Sequence, residues 1–363
     1  IARAMHVPAA AVAMAARPSE LGGRVELLVS RTSLPRRLTR SGAALSTALA
    51  VVLVALVACT STAQPRSPQA SASEAGGADP AVQRWTSDEA ALVRREWGAK
   101  RVAIVVLDAN SGALLAQVDD QPGAAIVPAS TLKPLAVAVA LDVGAIAPDQ
   151  RFDCGNGARA YGDRTLSDAG QYGSLSVAEI LAVSSNVGTS RIFDAVGGAR
   201  LSEGLARFHV DVPRDLETGS LRGAIIAMGE GSTTTPLALA RAYRTLANGG
   251  LGDDKERVVS AQTARIVRDM LEGVVTGERA TGRAASVAGA RVGGKTGTSA
   301  EEECENCAQQ RGIFASFAGI APIEQPRYVI YVGVGEPSKE GSGGSIAAPV
   351  FSRLAGRLLA RGG

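Results

Sequence analysis

Apolar runs near both ends of the chain have the length and the residue types of β-strands. Residues 101–108 and 113–118 are rich in valine, leucine and alanine and flank an Asn-Ser-Gly turn, which predicts a hairpin. Three further strands are predicted in the C-terminal part, at 291–298, 313–321 and 327–334. Strands that lie so far apart along one chain predict a mainly antiparallel sheet built from distant segments.

The residues between these strands show helical periodicity instead. Apolar residues recur at helical spacing in 177–185, 190–196 and 236–247, and an Asn-Gly-Gly sequence ends the last of these. Other helices are predicted at 85–100, at 130–143, at 259–276 and at 349–361. The predicted fold class is α/β in the broad sense, or α+β, with a mainly antiparallel sheet flanked by helices and an all-helical lobe beside it. The cleft between sheet and lobe is the expected place for a site.

A different kind of apolar run lies near the N-terminus. Residues 43–58 are almost wholly apolar, follow three arginines and end in Leu-Val-Ala before Cys59. This pattern is typical of a lipoprotein signal peptide, in which Cys59 would receive a diacylglycerol group. An uncleaved membrane anchor and a buried core helix are the alternatives, although sixteen residues are few for a membrane span. With a signal peptide or an anchor, the rest of the chain would lie outside the cytoplasm, at the cell membrane.

Composition divides the chain into four parts. Residues 1–41 form an N-terminal extension with a basic end, and 42–59 form the signal peptide or anchor. Residues 60–84 are rich in serine, alanine, proline and glycine, the composition of a flexible tether. A single folded domain is predicted at 85–363. Because 38 basic residues are interspersed with 35 acidic ones, for a net charge of +3, we expect no nucleic-acid surface.

Lysine and histidine are scarce, which narrows the candidates for catalysis. The chain has five lysines and two histidines, and since His6 precedes the apolar run, a Ser-His-Asp triad or a zinc site would depend on His209 alone. A serine–lysine pair is a stronger candidate for catalysis than His209. Ser130-Thr-Leu-Lys133 places a hydroxyl and an amine on the same face of a predicted helix start. Burial can lower the pKa of a lysine until its neutral amine accepts the proton of a serine.

Two more short motifs follow in the same domain. Residues 184–186, Ser-Ser-Asn, end a predicted helix, and residues 295–298 lie on a predicted strand. A lysine beside two hydroxyls suits a carboxylate, and a glycine allows another backbone to approach closely. The residues of the second motif are Lys295, Thr296, Gly297 and Thr298. Each motif is common by itself, whereas the ordered set is not.

The ordered set Ser-x-x-Lys, Ser-x-Asn and Lys-Thr-Gly resembles the three motifs of penicillin-binding proteins and serine β-lactamases. The likeness covers nearly all of residues 85–360 and includes 105–117, 184–188, 228–250 and 314–322. In these segments the chain resembles the transpeptidase domain of class B penicillin-binding proteins. Those proteins usually carry a large non-catalytic domain after the anchor, where this sequence has the tether.

The resemblance implies a role for each polar residue of the first two motifs. Ser130 would be the acylated nucleophile, and Lys133 would accept its proton. Ser184 would pass a proton toward the leaving amine. Asn186 would hold an amide of the substrate and help to position Lys133.

The third motif is implied to bind the negative end of the substrate. Lys295, with the hydroxyls of Thr296 and Thr298, would hold the terminal carboxylate of D-Ala or the carboxylate of a β-lactam. The backbone N–H groups of Ser130 and Thr298 would form the oxyanion hole. The resemblance requires no metal and no organic cofactor.

The implied activity is that of a serine D,D-transpeptidase or D,D-carboxypeptidase. Its substrates would be the D-Ala-D-Ala ends of peptidoglycan stem peptides, and β-lactam antibiotics would inhibit it by covalent binding. The membrane would hold the protein through its N-terminal lipid or helix. If the protein is a synthase, a membrane glycosyltransferase partner is expected.

Three other functions use some of the same residues. A serine β-lactamase shares the acylation step, but Glu217, the nearest candidate for the class A glutamate, lacks the expected Asn partner. A non-catalytic β-lactam sensor or scaffold domain would keep the fold. Residues 289–296 also match the G-x-x-x-x-G-K-T phosphate loop. Such a loop opens a helix, and the Gly-Thr-Ser that follows Thr296 disfavours one.

Cys304 and Cys307 form a C-x-x-C pair shortly after the third motif. The spacing allows half a zinc site, a redox pair or a small disulfide. Zinc lacks further ligands, since only Cys154 and His209 remain in the folded part. An oxidising compartment favours the disulfide, which would shape the loop over the cleft, and Cys154 is expected to stay a thiol.

Overall fold

Nine strands and nine α-helices form the part of the chain that the computed structural model describes, residues 78–300 and 312–361. The strands are β1 (Arg101–Asp108), β2 (Leu114–Asp119), β3 (Arg151–Asp153), β4 (Ala158–Tyr161), β5 (Arg164–Ser167), β6 (Ser174–Ser176), β7 (Gly293–Ala300), β8 (Ile313–Ala321) and β9 (Tyr328–Gly335). The helices are α1 (Pro80–Trp97), α2 (Lys133–Asp142), α3 (Val177–Val183), α4 (Asn186–Val196), α5 (Gly198–Arg207), α6 (Leu221–Ala227), α7 (Pro236–Ala247), α8 (Ala261–Thr276) and α9 (Ala348–Arg361).

A five-stranded antiparallel sheet, in the order β2-β1-β9-β8-β7, joins the two ends of the domain. β1 and β9 pair along their full length, from Arg101 opposite Gly335 to Asp108 opposite Tyr328. β1 and β2 form the predicted hairpin. The predicted fold class, a mainly antiparallel sheet with helices around it, is confirmed. β7, which carries the third motif, lies at one edge of the sheet.

Both faces of this sheet are covered, which explains why its central strands are apolar throughout. Along β1, Ile104 and Val106 point to the face covered by α1 and α9, while Val105 and Leu107 point to the face covered by α7 and the helical lobe. On the first face the rings of Phe317 and Phe351 are 4.9 Å apart. The two faces thus hold two separate apolar cores.

Several element boundaries differ from the prediction. α1 begins at Pro80, since the Asp79 side chain accepts from the N–H groups of Ala81 and Val82, so residues 80–84 belong to a helix and not to the tether. The helix predicted from 130 begins as a 3₁₀ turn, Ala129–Leu132. The short strands β3 to β6 and the helices α5 and α6 were not predicted individually. The four strands and α6 have at most seven residues each, too few for a clear periodicity, whereas α5 has ten residues and buries Leu201 and Leu205 four positions apart.

Some predictions fall outside the described residues. They are the extension 1–41, the apolar run 42–59 with Cys59, the tether up to residue 77, and the pair Cys304 and Cys307. Within residues 78–300 and 312–361, no helix is long and apolar enough to cross a membrane.

The packing of α9 on the sheet gives a test of the fold. Phe351→Ala should lower the free energy of unfolding by about 3–5 kcal/mol, because it removes a fully buried ring and leaves a cavity. Urea denaturation measures this change. Val143→Ala is the control, since Val143 is 48% exposed and its truncation should change the value by less than about 0.5 kcal/mol. Equal losses in the two variants would contradict the assignment of the core.

Candidate active site

Ser130 lies on a tight turn that tertiary contacts hold in place. Its neighbour Ala129 has a φ of 48°, in the left-handed region, which costs a non-glycine residue roughly 1–3 kcal/mol. The Ala129 N–H donates to the carbonyl of Gly229 at 3.1 Å, and the Tyr243 hydroxyl donates to the carbonyl of Thr131 at 2.7 Å. The turn that presents the hydroxyl of Ser130 is therefore anchored on both sides.

Lys133 follows Ser130 by one turn, and its N–H donates to the Ser130 carbonyl. Its side chain is fully buried, and its Nζ donates to the carbonyl of Ser184 at 2.8 Å and to Oδ1 of Asn186 at 2.8 Å. Burial lowers the pKa of Lys133 to about 7, against the opposing charges of Asp168 and Glu230. A neutral amine, able to act as a general base, is thus well populated near neutral pH.

Ser184 lies between the amines of two buried lysines. It ends α3 in the left-handed region, with a φ of 59°. Its Oγ accepts from Lys295 Nζ at 2.9 Å and from Lys133 Nζ at 3.3 Å. Burial, together with the nearby Lys133, lowers the pKa of Lys295 well below its usual value. The Ser184 hydroxyl can exchange protons with either amine, and its own hydrogen remains available to a third group.

Asp168, in the loop after β5, fixes the position of the second motif by hydrogen bonds. Its carboxylate accepts from the Ser185 hydroxyl at 2.7 Å, from the Val187 N–H at 2.9 Å, and from the Asn186 N–H. The Asn186 side chain also donates to the Ser167 carbonyl at 2.9 Å. A carboxylate at the start of α4 is favoured by the helix dipole. Asp168 thus orients the residue that holds the amine of Lys133.

Gly297 allows the third motif to approach the nucleophile turn. A Cβ there would lie 2.9 Å from Thr131 Cγ2 and 3.0 Å from the carbonyl oxygen of Pro128. Next to it, Thr298 is exposed, and its Oγ1 accepts from the Gly343 N–H at 3.0 Å. The hydrogen of the Thr298 hydroxyl remains free to donate. The edge strand β7 therefore presents an amine and hydroxyls beside Ser130.

Glu230 is a second carboxylate near Lys133, and it belongs to none of the three sequence motifs. It follows Gly229, whose carbonyl holds the nucleophile turn, and its own N–H donates to the Ile225 carbonyl at 3.1 Å. The residue is half-buried, and burial raises the pKa of Glu230 while the charge of Lys133 opposes that shift. Asp168 likewise lies outside the motifs. Both residues lie in irregular loops, where no spacing points to a partner.

The structure also shows where the residues of the alternative functions lie. Lys295 and Thr296 lie on the strand β7, so the phosphate-loop hypothesis, which needs a helix there, is wrong. Glu217 is exposed, and its carbonyl accepts from the N–H and the hydroxyl of Ser220 at the start of α6. His209 is exposed just after α5, and Cys154 is a buried free thiol. Among the residues that the structure describes, no cluster of three or more His, Cys, Asp or Glu could hold a metal.

The family model of the penicillin binding protein transpeptidase domain matches residues 102–356, a range that contains all three motifs. This chain therefore belongs to the family of penicillin-binding protein transpeptidase domains, as its motifs predict. The family defines the fold and the type of site.

Individual relatives make the likeness more specific. Penicillin-binding protein PbpB of Mycolicibacterium smegmatis is 30% identical, with 78% of this chain and 54% of PbpB covered. The probable peptidoglycan D,D-transpeptidase PenA of Neisseria flavescens is 30% identical, with 76% of this chain and 79% of PenA covered. The structure of Mycobacterium tuberculosis penicillin-binding protein 3 in complex with aztreonam gives a TM-score of 0.69 at 29% identity, with 78% of each chain covered. This chain spans about half the length of PbpB.

Glu230→Gln should shift the pH dependence of acylation. The variant removes a negative charge that favours protonated Lys133, so the pKa of Lys133 falls below about 7. With the neutral amine of Lys133 as the predicted base, the rise of the acylation rate with pH should move to lower pH. The rate constant for acylation by benzylpenicillin, measured across the acid and neutral range, shows the shift. Glu217→Gln is the control, and equal shifts in both variants would rule out a local effect of Glu230.

Asp168→Asn should slow acylation by about 10- to 100-fold, because small displacements of catalytic groups can cost that much. The amide cannot accept from all three donors that the carboxylate holds, so Asn186 and the amine of Lys133 lose their fixed position. Asp153→Asn is the matched control, as Asp153 is exposed and accepts only locally, from the Gly155 N–H at 2.9 Å. Stopped-flow acylation rates compare the two. An Asp168 variant as fast as the control would remove the positioning role.

Proposed function

We propose that this chain is a peptidoglycan D,D-transpeptidase that acts through an acyl-enzyme on Ser130. The observation that carries the proposal is the Ser184 hydroxyl, which accepts from Lys295 Nζ at 2.9 Å and from Lys133 Nζ at 3.3 Å beside the nucleophile turn. One amine serves the nucleophile and the other serves a bound anion. The relative PenA is named as a probable peptidoglycan D,D-transpeptidase, which supports the same reaction.

Acylation begins with the transfer of the Ser130 proton to the neutral amine of Lys133. The Ser130 Oγ attacks the carbonyl carbon of the D-Ala-D-Ala bond, and the N–H groups of Ser130 and Thr298 stabilise the oxyanion. The C–N bond then breaks. Ser184 donates its proton to the departing amine and recovers one from the ammonium of Lys133. The products are free D-Ala and an ester on Ser130.

The terminal carboxylate of the substrate fits the third motif. An anion close to Lys295 would raise its lowered pKa and keep the amine charged. The free hydrogen of the Thr298 hydroxyl would complete the receptor. A second peptide's amine then attacks the ester in transpeptidation, and water attacks it in D,D-carboxypeptidation. A β-lactam would acylate Ser130 in the same way, and the aztreonam complex of the related penicillin-binding protein 3 supports this ligand class.

Slow hydrolysis of β-lactams is a second candidate function. The observation that favours it is Glu230, a half-buried carboxylate whose charge acts on Lys133. A carboxylate in that position could activate a water that attacks the ester. Release of hydrolysed antibiotic, with recovery of unmodified Ser130, would distinguish this activity from that of a transpeptidase.

We also propose that the protein is held at the cell membrane, with the domain on its outer face. The apolar run 43–58 after three arginines supports an export signal or an anchor, and Cys59 at its end supports lipidation. Peptidoglycan stem peptides and, for a synthase, a membrane glycosyltransferase are the partners that this location would allow.

Intact-mass analysis after mixing with benzylpenicillin tests the proposed function. The chain should gain the mass of the antibiotic as a lasting adduct, and Ser130→Ala should gain nothing, because only the Ser130 hydroxyl can form the ester. A short-lived adduct with consumption of the antibiotic would move the protein to the β-lactamases. If neither an adduct nor hydrolysis appears, the proposed acyl-enzyme is wrong.

A further inference from the structure

Thr281 lies against the hydroxyl of Thr296, which is expected to bind the substrate carboxylate. The loop between α8 and β7 carries it there, and its Oγ1 is 2.7 Å from Oγ1 of Thr296. Thr296 is only 6% exposed, whereas Thr281 is exposed to solvent. The contact joins two parts of the chain that no motif connects. Thr281 therefore extends the third motif by one hydroxyl.

Backbone contacts hold Thr281 in this place. Its N–H donates to the Ala182 carbonyl at 3.0 Å, two residues before Ser184, and the next N–H, of Gly282, donates to the Val274 carbonyl at 3.0 Å. On the other side, a Cβ at position 344 would lie 2.3 Å from the Thr281 carbonyl oxygen, so only Gly344 fits. The adjacent Gly343 binds the Thr298 hydroxyl. Thr281 is thus fixed against α3, β7 and the turn Gly343–Ala347.

When an anion is bound, the distances between these hydroxyls and their neighbours favour one arrangement of hydrogen bonds. The Thr296 hydroxyl has one hydrogen, and an anion beside it must receive that hydrogen. The oxygen of Thr296 is then left to accept, with Lys295 Nζ at 3.4 Å and Thr281 Oγ1 at 2.7 Å as its neighbours. The other acceptor near the Thr281 hydroxyl, the Ala182 carbonyl, is farther away, at 3.5 Å, and also accepts from the Thr281 N–H. Thr281 therefore donates to Thr296 in the bound state.

We infer that Thr281 is a positioning residue for the anionic end of the substrate. By donating to Thr296 it directs the Thr296 hydrogen at the bound carboxylate, without touching the reacting atoms. This inference rests on the proposed function, because it takes the third motif as the carboxylate receptor. It adds a residue outside the three motifs to the determinants of specificity for ligands with a terminal anion.

Acylation of the full chain by a charged and an uncharged penicillin tests the inference. Thr281→Val should slow acylation by benzylpenicillin about tenfold, the usual effect of one hydrogen bond in a charged network. With the methyl ester of benzylpenicillin, which lacks the anion, Thr281→Val and the wild type should react equally fast. Thr281→Ser restores the hydroxyl and should restore the rate with benzylpenicillin. An equal slowing with acid and ester would mean a merely structural role and would overturn the inference.

A double-mutant cycle tests whether Thr281 acts through Thr296. If it does, Thr281→Val should cause no further loss in a Thr296→Val background, since the effects of coupled residues do not add. Additive losses would overturn the inference. The melting temperatures of all variants show whether the fold is kept, and Thr281→Ala is the substitute should the valine variant not fold.

The failure of the inference can be told from the failure of the proposed function. If benzylpenicillin does not acylate the wild type, the proposed function is wrong. The anion receptor is then tested directly by NMR titration with N-acetyl-D-alanine. Weaker binding to Thr281→Val than to the wild type would support the positioning role, and equal affinity or no binding to either would overturn it.

Discussion

The burial of two lysine amines around one serine hydroxyl is the constraint on which the rest of the site depends. Burial lowers the pKa of both lysines, and the charge of the nearby Lys133 lowers the pKa of Lys295 further. The carboxylates of Asp168 and Glu230 partly offset the effect on Lys133. The loops that carry Asp168 and Glu230 thus act on the charge of the Lys133 amine.

The catalytic motifs lie on three segments that are far apart along the chain. Where these segments meet, each has an unfavourable backbone conformation or a glycine. The backbones of Ala129 and Ser184 are both in the left-handed region. At position 297 the neighbouring atoms leave no space for a Cβ, so that only glycine fits. Such strain persists where the surrounding packing determines the structure, here the two apolar cores of the sheet and the helical lobe. The precision of the site is therefore a property of the whole domain.

The sequence was sufficient to predict the sheet and the three motifs, because the central strands are apolar throughout and two of the five lysines lie in the motifs. Asp168, Glu230 and Thr281 could not be found in this way. Each lies in a loop without periodicity, and its partner is far away along the chain. The sequence predicts a start of this helix at 190, whereas α4 begins at Asn186, because Gly188 and Thr189 are poor helix formers. Gly188 serves close packing, since a Cβ there would lie 2.4 Å from Ile180.

The full-length pairing of β1 with β9 has a consequence for biosynthesis. The sheet stays incomplete until the ribosome has added nearly the whole domain, because its second strand in space is one of the first to be made and its third is the last. Contacts of such long sequence separation form slowly. A chain interrupted before β9 could bury neither β1 nor β8 fully and would lack a firm support for β7. The strand that carries the third motif thus gains its full support only late in synthesis.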